Sequence, residues 1–315
     1  MSTSAENAIL KNISVAKIDR NPENPRIIFH QAQLEELQES IHRHGVQVPI
    51  SVYRESGRFV LLDGERRWRC SLKLNHETIP ALVQEKPDRL TNLLLMFNIH
   101  ALREQWDLWT IAMKLPEVIE QLTRKMKRVP LEREIVENTG LKHTVIRRCK
   151  LLLQLPARYR DMLLAELKKP KALQIFTEDF FIEMERALKT VKNSIPEVME
   201  DKDSVRLILI EKFRNGTIKN RVDFRKIPKI AKADKVNVSR SKVRTALRRL
   251  FSRNNVSIQD VYLGTVADAY IEKSLIAQIS TLLEQLRPVK RSDLQANVSE
   301  KLQQLMHLIE SLLRN

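Results

Sequence analysis

Leu61-Leu62-Asp63-Gly64-Glu65-Arg66-Arg67-Trp68-Arg69 fixes the character of the N-terminal domain. The apolar pair at its start reads as the end of a strand, and Gly64 breaks it. Glu65 to Leu74 then reads as helix. A helix that starts directly after a strand leaves its first backbone N–H groups without partners, facing outward, and a glycine there lets an anion come close. Arg66, Arg67 and Arg69 add fixed charge and forked donors. Together these residues describe a cradle for a triphosphate or a phosphodiester. The same string also fits a plain surface helix in which an arginine pairs with Glu65.

The flanking sequence supplies the rest of a small mixed domain. Pro49-Ile50-Ser51-Val52-Tyr53, a Ser56-Gly57 turn and Phe59-Val60-Leu61-Leu62 predict a β-hairpin. Thr78-Ile79-Pro80-Ala81-Leu82-Val83 predicts a third strand. Leu34, Leu37 and Ile41 recur at the helical period, so residues 31–44 read as a helix ended by His44-Gly45. Two prolines make Asn21-Pro22-Glu23-Asn24-Pro25-Arg26 an extended loop or turn. Residues 1–15 read as a short loose tail.

Beyond residue 84 almost everything reads as helix. Leu131–Thr139 and His143–Leu153 predict two helices joined at Gly140. Val136, Gly140 and Ile146 have the spacing of a DNA-reading helix-turn-helix, with Ile135 and Leu141 filling the space between the helices. The exposed face of the second helix would then carry Lys142, His143, Thr144, Arg147 and Arg148. Its N-terminal end would enter the major groove, where Arg and Lys reach guanine acceptors and Thr meets a thymine methyl. Lys150, Arg158 and Arg160 fall where phosphates would lie. A plain helical hairpin satisfies the same spacing. Residues 216–240 are rich in Lys and Arg and read as a linker, followed by a short helical unit over 241–262. No internal repeat is apparent. Two amphipathic stretches end the chain: Ile271, Leu275, Ile279, Leu282 and Leu286 share one face, and Val298, Leu302, Leu305, Ile309 and Leu312 another.

Charge supports a polyanionic partner. Residues 1–125 carry 17 Lys/Arg against 16 Asp/Glu, residues 126–250 carry 31 against 16, and residues 251–315 carry 7 against 7. Nearly all of the +16 therefore lies around the proposed DNA-reading helices. The two cysteines, Cys70 and Cys149, are far apart and have no neighbouring ligand residues, so no disulfide framework or zinc site is expected. No signal peptide and no membrane-length apolar run is read, and the expectation is a soluble cytoplasmic protein associated with nucleoid or plasmid.

In this order, the Asn24-Pro25-Arg26 turn, the helix ending at Gly45, the hairpin, Gly64-Glu-Arg-Arg-Trp-Arg69, the Asn98/Arg103 segment and the helix-turn-helix resemble the ParB/RepB-type partition family. The resemblance runs from residue 14 to about 165. It implies an α+β N-terminal domain of the ParB/sulfiredoxin-like kind, followed by an all-α helix-turn-helix and a helical C-terminal region. The corresponding divisions are 1–95 for the nucleotide-binding domain, 96–215 for the DNA-binding domain with its helix-turn-helix at 131–153, 216–265 for the basic linker and small helical unit, and 266–315 for C-terminal helices suited to dimerisation. It further implies CTP with Mg²⁺ as cofactor, a homodimer closing as a clamp on double-stranded DNA with a palindromic site, and a ParA-type ATPase as partner. The nucleotide-binding set implied is Asn24, Pro25, Arg26, Gly64, Glu65, Arg66, Arg67, Arg69, Asn98 and Arg103. The third motif of the family usually reads Glu-Asn-x-x-Arg; here Phe97 precedes Asn98 and Arg103 comes two residues late, with Glu104 beside it. Asn24 stands where the family commonly has Gln. The expectation is a chain that binds CTP and hydrolyses it slowly or not at all.

Two other readings share this scaffold. One is a plasmid or phage transcriptional regulator. The other is an enzyme of the sulfiredoxin kind, which needs a cysteine beside the nucleotide loop; Cys70 lies more than a turn into the helix and is expected to face the core.

Overall fold

The computed structural model describes residues 8–24, 31–98, 107–290 and 294–314. It divides into two compact units, residues 1–186 and 187–315. That division falls within residues 96–215, the stretch expected to form one DNA-binding domain.

The first unit opens with a five-stranded mixed sheet in the order β1-β5-β3-β4-β2. Its strands are β1 (Ile9–Ser14), β2 (Ile18–Asp19), β3 (Ile50–Glu55), β4 (Arg58–Asp63) and β5 (Thr78–Gln84). β3 and β4 form the expected hairpin, and β5 runs parallel to β3. The loose tail expected over residues 1–15 is corrected for its described part. Residues 9–14 pair antiparallel with β5 along its open edge, from Ile9 opposite Val83 to Ser14 opposite Thr78. Only Ile13 in that strand is buried, so side-chain patterning gave little sign of it; backbone pairing with β5 makes the strand. Helix α1 (Gln31–His44) and helix α2 (Glu65–Lys73) pack together, joined by Leu34, Ile41 and Cys70. Ile13, Val15, Ile18, Ile50, Val52, Leu61, Ile79 and Ala81 form the sheet's core, with Trp68 of α2 against it. Side chains buried this fully contribute about 2 kcal/mol each.

Helices α3 (Arg89–Met96), α4 (Leu108–Met126), α5 (Glu132–Thr139), α6 (His143–Leu153) and α7 (Ala157–Leu167) follow, then α8 (Glu178–Ser194), within which the unit boundary lies. α4 packs on α6. Tyr159, Phe176, Phe180 and Phe181 form a buried aromatic cluster with ring centroids 4.9–6.5 Å apart.

The second unit holds α9 (Lys202–Arg214), α10 (Lys226–Ala231), α11 (Arg240–Ser252), α12 (Ile258–Thr265), α13 (Ala267–Leu286) and α14 (Ala296–Leu313). The linker expected over 216–240 is corrected. Phe224, Ile227 and Ile230 are fully buried, as is Ala233, and short 3₁₀ turns at 221–225 and 233–236 flank α10. The basic residues between these anchors are largely a solvated face of a packed segment; their number hid the short helical spacing of the apolar ones. Of the two apolar faces expected on α13 and α14, Ile271, Leu275, Ile279, Val298, Ile309 and Leu312 are exposed, and Leu282, Leu286, Leu302 and Leu305 are half-buried. Among the described residues no helix is long and apolar enough to cross a membrane.

Candidate nucleotide and DNA sites

Gly64 joins β4 to α2 with φ 98° and ψ 20°, in the left-handed region that side chains resist. A Cβ built there would lie 2.5 Å from Ile50 Cγ2, on a side chain that is itself fully buried. The tight turn is thus fixed by both backbone conformation and close packing. The first helical bond of α2 runs from Trp68 N–H to the Gly64 carbonyl, 3.0 Å. The N–H groups of Glu65, Arg66 and Arg67 come before that ladder, at the positive end of the helix dipole.

The side chains of the motif divide their roles. Glu65 is 7% exposed and acts as a hub. Its carboxylate accepts from Asn24 Nδ2 at 2.7 Å, from Arg69 Nη2 at 2.7 Å and pairs with Arg20 Nε at 2.7 Å. Arg67 donates to the Val48 and Pro49 carbonyls at 2.6 and 2.8 Å and pairs with Asp63 at 3.2 Å. It ties the turn before β3 to the end of β4, which is a scaffold role. Arg66 is half-buried and donates to the Gln33 carbonyl at the start of α1, 2.8 Å away. Pro25, Arg26 and Arg103 lie outside the described residues, as does Glu104. Asn98 is exposed and Phe97 is fully buried. A phenyl ring offers a metal ion no oxygen, and among the described residues no group of three His, Cys, Asp or Glu is placed to hold one. The described residues of the turn, the start of α2 with Arg66, fit a phosphate group.

Arg20 was not found from the sequence, and neither was the polar layer behind it. Asn21 is buried and donates to Asn92 of α3 at 3.1 Å. Glu23 pairs with Lys114 of α4 at 2.8 Å and with Arg89 of α3 at 3.2 Å. The one available signal was Asn92, a polar residue on the apolar side of α3. These bonds fix the turn that carries Asn24 against α3 and α4. Cys70 is buried with its thiol toward the Leu34 carbonyl, and burial pushes that thiol's pKa up. A protonated, enclosed thiol is poorly suited to nucleophilic chemistry.

The α5–α6 pair has helix-turn-helix geometry. Gly140 closes α5 in the left-handed region at φ 71°, and its N–H bonds to the Val136 carbonyl at 2.8 Å. Ile135, Leu141 and Ile146 are buried between the helices. Lys142, His143, Thr144 and Arg147 are exposed, and Arg148 and Lys150 are partly covered. Glu132 of α5 gathers three of these groups: His143 at 3.0 Å, Arg147 at 2.9 Å and Lys150 at 3.4 Å. The His143 hydrogen bond, with Arg147 and Lys150 behind it, holds the Glu132 carboxyl down to about 2. Arg148 turns instead to Asp179 at the start of α8, 2.5 Å away. Arg147 is therefore the more available arginine of the pair, with 69% of its side chain exposed against 34% for Arg148.

Residues 1–99 match the family of ParB N-terminal domains. These residues are a ParB N-terminal domain. A nucleoid occlusion protein of Geobacillus sp. (strain WCH70) is 33% identical over 159 residues, 49% of this chain and 53% of that protein. A probable chromosome-partitioning protein ParB of Helicobacter pylori is 34% identical over 116 residues, 36% of this chain and 39% of that protein. The matched part thus spans about half or less of the length of these relatives. Among solved structures, the C-terminally truncated ParB of Caulobacter crescentus complexed with CTP-gamma-S is 26% identical, covering 50% of this chain and 85% of that one with a TM-score of 0.29. The same protein complexed to the centromeric parS site is 20% identical, covering 70% and 98% with a TM-score of 0.44. The ParB domain here contains the whole Gly64–Arg69 cradle and ends at residue 99, before the helix-turn-helix of α5 and α6.

Proposed function

We propose that this chain is a CTP-gated, sequence-specific DNA-binding protein of the partition type. The observation that carries the reading is the left-handed Gly64 turn, which presents the start of α2 and Arg66 to an anion within a ParB domain. α6 supplies the DNA-reading face. A helix-turn-helix dimer reads two half-sites related by two-fold symmetry, so recognition of a palindrome requires a second copy of the chain. The exposed apolar faces of α13 and α14 are the surface for that copy. A ParA-type ATPase belongs to the same reading through the partition role alone.

Titration of the full chain with CTP, beside ATP and GTP, tests the nucleotide half. Arg66→Ala is expected to weaken CTP binding at least tenfold while leaving affinity for random duplex DNA within about twofold, because it removes a charge-assisted donor from a partly desolvated site. Unchanged CTP affinity would remove Arg66 from the cradle. For DNA, Arg147→Ala is expected to reduce affinity for a selected site roughly 10- to 100-fold and affinity for random duplex much less, as loss of a bidentate base contact should. Equal losses on both duplexes would make Arg147 a phosphate contact instead.

A further inference from the structure

The spacing that defines the first helix-turn-helix occurs a second time in the chain. In α5–α6 it is Val136, Gly140 and Ile146; in the second unit it is Ala233, Asn237 and Val243, with the same steps of four and six residues. The left-handed cap repeats with it, with Ala233 in a 3₁₀ turn after α10 where Val136 lies within α5. Asn237 ends the 3₁₀ turn 233–236 in the left-handed region at φ 58°, where Gly140 has φ 71°. Asparagine is among the few non-glycine residues that take this conformation readily. Two residues after each of these caps stands the N-cap of the next helix, Lys142 in one case and Ser239 in the other. Ser239 accepts from the Lys242 N–H, a true N-cap that α6 lacks. Ala233 is fully buried and Val243 is 2% exposed; at the matching positions of the first pair Ile146 is fully buried and Val136 is half-buried.

The outward face of α11 has the chemistry of a reading helix. Residues 240–252 contain no Asp or Glu. Lys242, Arg244, Arg248 and Arg249 are all exposed, and among the described residues none of the four is held in an ion pair. Arg240 is tied to Glu197 at 3.0 Å, and the same carboxylate lies near enough to Arg244 to feel its charge. Glu132 neutralises more of the α6 face, holding His143, Arg147 and Lys150. Arg244 lies five residues after its N-cap, the position Arg147 occupies after Lys142. A merely solvated surface helix has no need of the left-handed cap, the buried alanine four residues before it and a helix face without an acidic residue of its own in one register. We propose that α10, the 3₁₀ turn that follows it and α11, residues 226–252, form a second helix-turn-helix, with α11 as a reading helix for the major groove of double-stranded DNA. This goes beyond the proposed function, which needs only α6.

The test uses the full chain and duplexes selected by it from a random-sequence library. Two separate blocks of preferred positions are expected. Arg244→Ala should abolish preference in one block and lower affinity for the selected duplex roughly 10- to 100-fold, with Arg244→Lys restoring affinity only in part because it lacks the fork. Replacing Lys242, Arg244 and Arg248 together by Ala should also flatten the dependence of log affinity on log salt by roughly 2–3, since three cations no longer displace counterions from the duplex. Thermal melting checks that these exposed replacements leave the fold intact. If Arg244→Ala keeps both blocks and the triple variant keeps the salt slope, α11 does not touch DNA and the proposal is overturned. It is equally overturned if Arg244→Ala weakens selected and random duplexes alike, or if the triple variant loses affinity only for single-stranded RNA. Failure of the α6 reading is a different result: Arg147→Ala would then leave both blocks intact while Arg244→Ala removes one.

Discussion

Replacing Gly64 by alanine is expected to lower the unfolding free energy of the N-terminal domain by about 3 kcal/mol, combining roughly 1–2 kcal/mol for a side chain held in the left-handed region with roughly 1–3 kcal/mol for overpacking. The added Cβ would meet Ile50 Cγ2 at 2.5 Å, Ile50 Cβ at 3.0 Å and Arg67 Nη2 at 3.2 Å. Ile50 has no room to retreat, since it is fully buried between β4 and β5. Denaturant unfolding of the two proteins measures the loss. Truncating the neighbour identifies its source: in an Ile50→Ala background, which lacks Cγ2, Gly64→Ala should cost less than in the wild type. A cost equal in both backgrounds would assign the whole effect to backbone conformation. Because Gly64→Ser meets the same wall, it perturbs folding as well as anion binding, and Arg66→Ala is the cleaner probe of the nucleotide site.

Lys212 gives the second large effect, one that appears only with pH. Its side chain is fully buried in the second unit, where Nζ donates to the Leu250 and Val256 carbonyls at 2.5 and 2.7 Å. It thereby fixes the C-terminal end of α11 from α9. Burial away from water pulls the amine down to about 8. A neutral amine still has two N–H groups, one for each carbonyl, so the site is satisfied after the proton leaves. In the unfolded chain the same amine keeps its proton up to the ordinary value of 10.5. Between these two values the unfolded state binds more protons, so stability rises with pH across that window. Below pH 8 both states are protonated and the contribution is flat. Relative to a Lys212→Met variant, the wild type should therefore gain about 3 kcal/mol between about pH 7.5 and 10.5, with a slope of about 1.4 kcal/mol for each step of one in pH inside the window. Guanidinium unfolding of both proteins at several pH values measures this. A constant difference would show that the ammonium keeps its proton in the folded state.

The local elements of the N-terminal domain were legible because each depended on residues near one another in sequence. The apolar run before Gly64, the Ser56-Gly57 turn and the period of Leu34, Leu37 and Ile41 stated the hairpin and both of its helices. The first helix-turn-helix was legible for the same reason, from Val136, Gly140 and Ile146. The second was missed although its spacing is identical. Asn237 holds the position of the expected glycine, and the eight Lys/Arg from residue 225 to residue 244 masked the apolar anchors. Strand β1 was missed because it owes its form to β5, some seventy residues later.

The strand-turn-helix at Gly64, the two helix-turn-helix spacings and the concentration of positive charge in the middle of the chain are written in the order of the residues alone. They follow from backbone conformation and short periodicity, which act over a few positions. Which arginines remain available to a ligand is settled by folding. Arg67 is occupied by the carbonyls of residues 48 and 49, Arg69 and Arg20 are drawn to Glu65, and Arg148 is drawn to Asp179. A guanidinium takes whichever acceptor the fold brings within about 3 Å, and that choice rests on contacts up to 45 residues apart in sequence, as between Arg20 and Glu65.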